Sequence, residues 1–270
     1  MKNELHMLHS VTDTICNSFF ITTEDGRLIA VDGGFAAETD HFLTYLRALT
    51  GAEAPHIDLW ILTHPHDDHV NVFLELMAHR PEALTVDRIC LNFPSKEYLA
   101  AEDESAAGTM EAFYRVLPRA ADKVRVVCGG DELRAGAARI RFLHSQDYAI
   151  RQNRCNNSSL VFRLDLGGRS VLFTGDCGEE AGEKILRLWG ESGILRCDVC
   201  QMAHHGQNGC GRAFYEAVAP KICLWPTPSW LWTNRDGRGP YRTLETRGWM
   251  EALGVSEHYV SKDGTHVLAL

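Results

Sequence analysis

The sequence predicts an α/β fold built from two similar halves, each running strands first and helices after. Three observations predict it. Short apolar, β-branched runs alternate along the chain with segments whose apolar residues recur at helical spacing. Two hairpin signatures stand at corresponding places, Asn17–Thr23 with Arg27–Val31 about Glu24-Asp25-Gly26, and Leu160–Leu166 with Ser170–Thr174 about Gly167-Gly168. After each hairpin comes an aspartate beside glycine, Asp32-Gly33 or Gly175-Asp176, then a helix, then a short apolar strand that ends on histidines.

In the first half the segment Glu38–Leu49 carries Phe42, Leu43, Tyr45, Leu46 and Leu49 on one helical face and stops at Gly51. Ile57–Leu62 is short and mostly apolar, as suits a strand buried on both faces. Val72, Phe73, Leu76 and Met77 then mark a helix whose amino end Asp67 is expected to cap. A strand at Val86–Leu91 precedes a helical excursion over Ser95–Val116, weakly broken at Gly108. Strands at Lys123–Val127 and Arg139–His144 lead into a polar loop, Ser145–Asn157.

In the second half Glu179–Trp189 reads as a helix, Cys197–Met202 as a strand ending at Ala203-His204-His205-Gly206, and Gly211–Val218 as a short helix. A strand at Lys221–Trp225 and a helix at Thr243–Leu253 follow. A last hairpin is expected from Tyr259-Val260 to His266–Leu268 about Lys262-Asp263-Gly264-Thr265.

Composition bounds the function. With 270 residues and 45% hydrophobic content, the chain suits one large domain over 1–270, neither disordered nor fibrous. A formal charge of −9 does not favour nucleic acid as a partner, and leaves a small molecule or a phosphoester as the expected substrate. Nine scattered cysteines form no secreted-type framework and read as reduced thiols of a cytoplasmic protein. The start, Met1–His6, has no apolar signal core, and no run is apolar for long enough to span a membrane.

The chemistry gathers in Thr63-His64-Pro65-His66-Asp67-Asp68-His69, which follows directly on a strand. Three imidazoles and two carboxylates in six positions are the donors that zinc and similar ions take, and a turn leaving a strand can aim them at one point. Asp176 and the His204-His205 pair lie at two further strand ends. Other features carry less. Cys197 and Cys200 are three apart on a strand and so face opposite sides. His144 ends a strand and is either hydrogen-bonded structure or a further donor, and Trp225, Trp230 and Trp232 form an aromatic segment that either walls a pocket or packs. Neither a phosphate-cradling glycine loop nor a Ser-His-Asp arrangement competes.

These residues together, with Asp32-Gly33 upstream and Gly175-Asp176 and His204-His205-Gly206 downstream, resemble the metallo-β-lactamase superfamily of metallohydrolases from about Asn17 to Leu270. The resemblance implies a four-layer αββα sandwich of two mixed β-sheets flanked by helices, with two divalent metal ions where the halves meet. Zinc is the first expectation for both ions, with manganese or iron as alternatives. His64 and His66 would serve the first metal, Asp68 and His69 the second, and Asp176 would bridge them. One of His204 or His205 would complete the second, with His204 favoured and His205 supporting it. Asp32 and Thr63 would fix the orientation of the histidines.

A finer likeness is carried by Asn156-Asn157-Ser158-Ser159-Leu160-Val161, which is similar to the soluble hydrolase domain of bacterial competence DNA-uptake channels. There an asparagine stands where the superfamily usually has a first-metal histidine. Counting back from Ser159 puts Cys155 or Asn156 at that place, with His144 as a distant substitute, so the first site is expected to be poor in ligands. The stretch Thr233–Tyr241 echoes the competence pattern only loosely.

The activity this implies is metal-dependent hydrolysis by a hydroxide held between the ions, acting first on a phosphoester in the manner of a phosphodiesterase, with Asp68 orienting the nucleophile or moving a proton. Hydrolysis of a lactam, lactone or thioester uses the same site, and an iron oxygenase is a further enzymatic reading. A metal-containing ligand-binding or sensor domain without turnover is the reading from another class.

Overall fold

The computed structural model describes residues 1–234 and 241–270. Residues 235–240, the centre of the stretch that departs from the competence pattern, lie outside the described residues.

Two seven-stranded sheets stack face to face. The first is formed by Glu4–Met7 (β1), Ser18–Thr22 (β2), Leu28–Asp32 (β3), Leu59–Ile61, Ile89–Leu91, Val124–Val126 and the C-terminal His266–Ala269. Numbering the small pair His56–Ile57 and Thr85–Val86 as β4 and β6 makes Leu59–Ile61 β5, Ile89–Leu91 β7 and the edge strand Val124–Val126 β8. The second sheet holds Glu132–Ala135 (β9), Ala138–His144 (β10), Val161–Leu166 (β11), Arg169–Phe173 (β12), Val199–Gln201 (β13), Ile222–Trp225 (β14) and Glu257–Val260 (β15). His266–Ala269 is β16. Both sheets are mixed in the same way. β1, β2 and β3 pair antiparallel and β3, β5, β7 and β8 parallel, while β9 to β12 pair antiparallel and β12 to β15 parallel.

The layering follows from the alternation of side chains along the strands. Phe19, Ile21, Ile29, Val31, Leu59 and Ile61 from the first sheet meet Phe142, Phe162, Leu164, Val171, Phe173 and Leu224 from the second in one core between the sheets. Their neighbours Phe20, Ala30 and Trp60 point the other way, onto a core shared with Thr39–Thr50 (α1), Asp67–His79 (α2) and, after Lys96–Ala100 (α3), Glu104–Val116 (α4). On the far side Val161, Leu172, Cys200, Cys223 and Trp225 pack beneath Glu179–Trp189 (α5), Arg212–Val218 (α6) and, beyond Ser229–Thr233 (α7), Thr243–Ala252 (α8). Fully burying each large side chain of this kind contributes roughly 1.5–3 kcal/mol, so the two outer cores hold the helices that carry site residues.

Four expectations are corrected. The last two strands are not a hairpin: β15 pairs with β14 in the second sheet and β16 with β1 in the first, so the turn at Lys262–Thr265 crosses between sheets. β1 and β9 are short edge-side strands whose alternation is too brief to stand out in the sequence. The helical excursion breaks at Asp103, which caps α4 by accepting a hydrogen bond from Ala106 N at 2.9 Å, and Gly108 lies inside that helix. Asp67 is the first residue of α2 rather than its cap, and its carboxylate accepts a hydrogen bond from Thr109 Oγ1 on α4. Among the described residues no helix is long and apolar enough to cross a membrane.

Candidate metal centre

The site is built at the carboxyl ends of parallel strands in both sheets. β5 runs out through Leu62 and Thr63, and His64-Pro65-His66 stays extended until α2 begins at Asp67, His66 having φ −86° and ψ 152°. Pro65 has no N–H to offer a helix, so the chain holds His64 and His66 on a straight segment and puts Asp68 and His69 in the first helical turn. From the other sheet β12 ends in Thr174-Gly175-Asp176. Gly175 is left-handed with φ +52°, and a Cβ there would lie 2.9 Å from Ser159 Oγ and 3.2 Å from Thr63 Cβ. The bare backbone lets the Asp176 turn press against both.

β13 delivers the histidine pair through three successive left-handed residues, His204 (φ 51°), His205 (φ 55°) and Gly206 (φ 78°). Two non-glycine residues in that region cost on the order of 1–3 kcal/mol each, and such strain is kept where the surroundings fix it. Here they do. Gln201 Oε1 accepts from Thr174 N at 2.8 Å and Gln201 Nε2 donates to Gly175 O at 3.1 Å, which clamps the Asp176 turn to the histidine turn.

The hydrogen bonds made by the outer nitrogen of each ring decide what the inner nitrogen presents. His69 Nδ1 donates to Asp32 Oδ2 at 2.7 Å. Thr63 Oγ1 also donates to Asp32 Oδ2 at 2.7 Å, so its own lone pair is left for His64 Nδ1 at 3.2 Å. His66 Nε2 donates to Asp103 Oδ2 at 3.0 Å, and His205 Nδ1 to Pro226 O at 3.0 Å. In those tautomers all four rings turn a bare lone pair inward.

Those inward atoms form two groups whose donors lie within 4.8 Å of one another: Asp68, His69, Asp176 and His205, and His64, His66 and Cys155. His205 Nε2 is 2.8 Å from Asp68 Oδ2 and 3.3 Å from Asp176 Oδ2, and His69 Nε2 is 3.1 Å from Asp176 Oδ1. Asp68 Oδ2, His69 Nε2, Asp176 Oδ1 and His205 Nε2 are all buried, and none has a hydrogen-bond partner. In the other group His64 Nε2 and His66 Nδ1 face each other at 3.1 Å, a hydrogen bond whose direction the tautomers set. Buried donor atoms without partners converge as in the first group where a cation answers them, and imidazole with carboxylate is the donor set of zinc, iron and manganese. The residues fit two divalent ions.

The electrostatics agree. Burial alone would lower the proton affinity of His69, but Asp176, Asp68 and Asp32 outweigh it and hold the ring well above its ordinary value. His205 is likewise raised to about 9 against its burial, by Asp176 and Asp68. Burial opposes ionisation of Asp176, and His205, His69 and His204 overcome it to keep the carboxyl well below its usual range. The same field that favours a proton on these rings favours a metal ion.

The structure brings together His64, His66, Asp68, His69 and Asp176 as the sequence suggested, with Asp32 and Thr63 behind them. The preference for His204 is reversed. His205 is fully buried and joins the second group, whereas His204 keeps 18% of its side chain exposed, with Nε2 3.9 Å from Asp176 Oδ2 and 3.4 Å from Asn156 Nδ2. Its Nδ1 faces Asn208 O at 3.3 Å. His144 does not reach the centre: its Nε2 bonds to Asn157 O at 2.9 Å, and burial lowers its proton affinity. Cys155 stands with His64 and His66, while Asn156 Nδ2 donates to Asn153 Oδ1 at 2.8 Å.

Three supporting residues escaped sequence reading. Asp103 holds His66, and its only local signal was that of a helix cap in a stretch read as continuous helix. Asn17 Nδ2 donates to Asp32 Oδ2 at 2.8 Å, and Gln201 makes the clamp. Ser159 and Asn157 prove to be braces, Ser159 Oγ accepting from Asp176 N at 3.0 Å and Asn157 Oδ1 from Gly178 N at 3.1 Å.

Two sheets with helices outside, and a histidine and aspartate centre at the strand ends between them, define an αββα sandwich with a candidate metal centre. A model of the metallo-beta-lactamase superfamily matches residues 11–140. ComE operon protein 3 of Bacillus subtilis (strain 168) is 26% identical over 182 residues, which is 65% of this chain and 20% of that protein. The chain thus spans about a fifth of that relative's length. Among solved structures, CmlA, a diiron β-hydroxylase from Streptomyces venezuelae, is similar over 100% of this chain and 54% of its own, at 15% identity and a TM-score of 0.58. The metallo-beta-lactamase fold protein YhfI from Bacillus subtilis is similar over 98% of this chain and 99% of its own, at 13% identity and a TM-score of 0.54. Residues 11–140 thus match the metallo-β-lactamase superfamily model, and the fold of the chain is similar to that of solved structures of the metallo-β-lactamase fold.

Proposed function

We propose that the chain works as one domain over 1–270 and is a metal-dependent hydrolase of phosphoesters in the cytoplasm. The observation that carries the reading is the set of buried, unpartnered donor atoms on Asp68, His69, Asp176 and His205, with His64 and His66 opposed beside it. Asp68, His69, Asp176 and His205 would hold one ion and His64 and His66 the other, with Asp176 between them. When bound, two such ions supply Lewis acidity and make a water-derived nucleophile available near neutral pH.

The chain's own residues do the rest. Asp32, Thr63, Asp103 and the Pro226 carbonyl hold the rings in the tautomers that face inward. Asp68, in the first turn of α2, orients the attacking water through its carboxylate, and the helix terminus stabilises its charge. His204, at the partly exposed edge of the centre, passes a proton between the leaving oxygen and solvent. Two divalent ions against the carboxylates of Asp68 and Asp176 leave about two positive charges in a protein whose formal charge is −9, which favours an anionic ester. That overall charge supports a small phosphoester over a long nucleic acid. Nine free thiols suit a reducing compartment.

The test measures metal content and turnover on bis-p-nitrophenyl phosphate, nitrocefin and a thioester. Close to two ions per chain and activity on the phosphodiester support the reading; one ion or none, or activity confined to the other two substrates, overturns it. His205→Ala should lose an ion, while His204→Ala should keep both and slow turnover by about 10²–10⁴.

A further inference from the structure

We infer that Cys155 is a thiolate ligand of the first ion, which makes the two metal positions chemically unlike: nitrogen, nitrogen and sulfur in one, nitrogen and carboxylate oxygen in the other. The inference rests on the metal-dependent reading above and adds a donor and a metal preference to it.

The cysteine sulfur lies with His64 and His66 in one group of donor atoms, all within 4.8 Å of one another. Cys155 is 2% exposed, so its sulfur meets no solvent that would otherwise satisfy it. Cys155 precedes the 3₁₀ turn Asn156–Ser158, and its carbonyl accepts from Ser158 N at 3.0 Å, which pins the backbone from which the side chain projects. Among the described residues, no other cysteine shares a donor group with histidine.

The alternatives for this place are less well placed. The Asn156 amide nitrogen donates to Asn153 Oδ1 at 2.8 Å and faces His204 Nε2 at 3.4 Å; its Oδ1 is buried without a partner, but as a neutral amide oxygen it is a weaker donor to zinc than a thiolate. His144 is spent on the Asn157 carbonyl. The 3.1 Å between His64 Nε2 and His66 Nδ1 is close to the separation of two nitrogens that share a tetrahedral ion at about 2.0–2.1 Å. Such an ion has room for a sulfur at about 2.3 Å and for a carboxylate, and Asp176 Oδ2 is 3.8 Å from His64 Nε2.

The binding step balances simply. The thiol loses its proton to solvent and the sulfur pair forms the bond to the ion, so the thiol adds one proton to those that binding releases. Sulfur selects zinc or cobalt over manganese or magnesium, so the first position is closed to the harder ions that Asp68, His69, Asp176 and His205 can accept.

The experiment titrates cobalt(II) into the metal-free full chain. A near-ultraviolet thiolate-to-cobalt charge-transfer band that saturates with one of two bound equivalents is the expected result, and Cys155→Ser should lose the band and one equivalent while keeping the other. Two cobalt ions bound without the band, or a band that survives in Cys155→Ser, overturns the inference and leaves the hydrolase reading standing. Failure to bind cobalt at all overturns both. Should Cys155→Ser not fold, X-ray absorption at the zinc edge of the unaltered protein decides: a sulfur shell near 2.3 Å supports the thiolate, and nitrogen and oxygen alone at about 2.0–2.1 Å refute it.

Discussion

Asp32 is the residue whose loss the geometry allows to be costed most directly. It is fully buried and accepts four hydrogen bonds, from Thr63 N on Oδ1 and from Asn17 Nδ2, Thr63 Oγ1 and His69 Nδ1 on Oδ2, all at 2.7–2.8 Å. Asp32→Asn preserves the shape and tolerates the left-handed backbone, φ +51°, so the change is one of chemistry. The amide has a single acceptor. If it faces the three donors, its NH₂ meets the Thr63 N–H, and an unmade buried hydrogen bond costs about 1–3 kcal/mol. The three remaining bonds lose a charged acceptor, which weakens each by roughly 1 kcal/mol. A loss of about 4–6 kcal/mol in the metal-free protein follows, measured by urea denaturation in the presence of a chelator. With a neutral acceptor His69 Nδ1 is held less firmly and is less basic, and affinity for the second ion should fall about 10–100-fold, read by competition with a chromophoric chelator. An affinity within threefold of the wild type would show that Asp32 does not orient His69.

Asp103→Ala removes the partner of His66 Nε2 and should weaken the first ion about 10–100-fold while sparing the second, because Asp103 touches no ring of the second group; metal competition at each site checks it. Gly206→Ala places a Cβ 2.4 Å from the ring of Trp225, which is fully buried and tied to His258 at 3.0 Å, on a backbone with φ +78°. Overpacking at about 1–3 kcal/mol with a left-handed penalty of about 1–2 kcal/mol predicts a loss of roughly 2–5 kcal/mol in thermal or urea unfolding. Asp198 is lowered to about 2, first by Lys221 and then by Ser170 against modest burial. A depressed carboxyl stabilises the fold above its ordinary value and that stability is lost as pH falls through about 2, so Asp198→Asn should flatten the acid limb. Lys221 is largely exposed, so the effect is about 1 kcal/mol.

The side chains gathered at the centre, and Asp32 and Thr63 behind them, were legible in the sequence, whereas Asp103, Asn17 and Gln201 were not, and the difference has a physical cause. His64 to His69 and Asp176 are dense or sit beside glycine at strand ends, where local pattern speaks. Asp103, Asn17 and Gln201 act across 37, 15 and 27 residues of sequence respectively, through side-chain hydrogen bonds that leave no periodicity behind. The choice between His204 and His205 was undecidable for a related reason. Adjacent residues on a regular strand point to opposite faces, but these two lie in a left-handed turn, and only the anchor of His205 Nδ1 on the Pro226 carbonyl, beyond the next strand, turns that ring inward. The misread final hairpin shares this cause. A turn signal at Lys262–Thr265 says that the chain reverses, not which sheet receives the next strand; that is decided by β1, whose partner β16 becomes.

The division of donors between the sheets also joins stability to function. His64, His66, Asp68 and His69 come from the first sheet and its helix, while Asp176 and His205 come from the second, so the two ions would tie the halves at the open end of the core between them. Within that core the sheets are held by apolar contact alone, which is not directional. At the strand ends the contacts become short and charged, and without cations they include buried donor atoms with no hydrogen-bond partner among the described residues, such as Asp176 Oδ1 and His205 Nε2. The metal-free protein therefore carries an uncompensated polar cost at the seam where its halves meet, and a cation that binds only the folded arrangement relieves it there. The same residues that would ready a water for attack thus set the relative position of the two sheets.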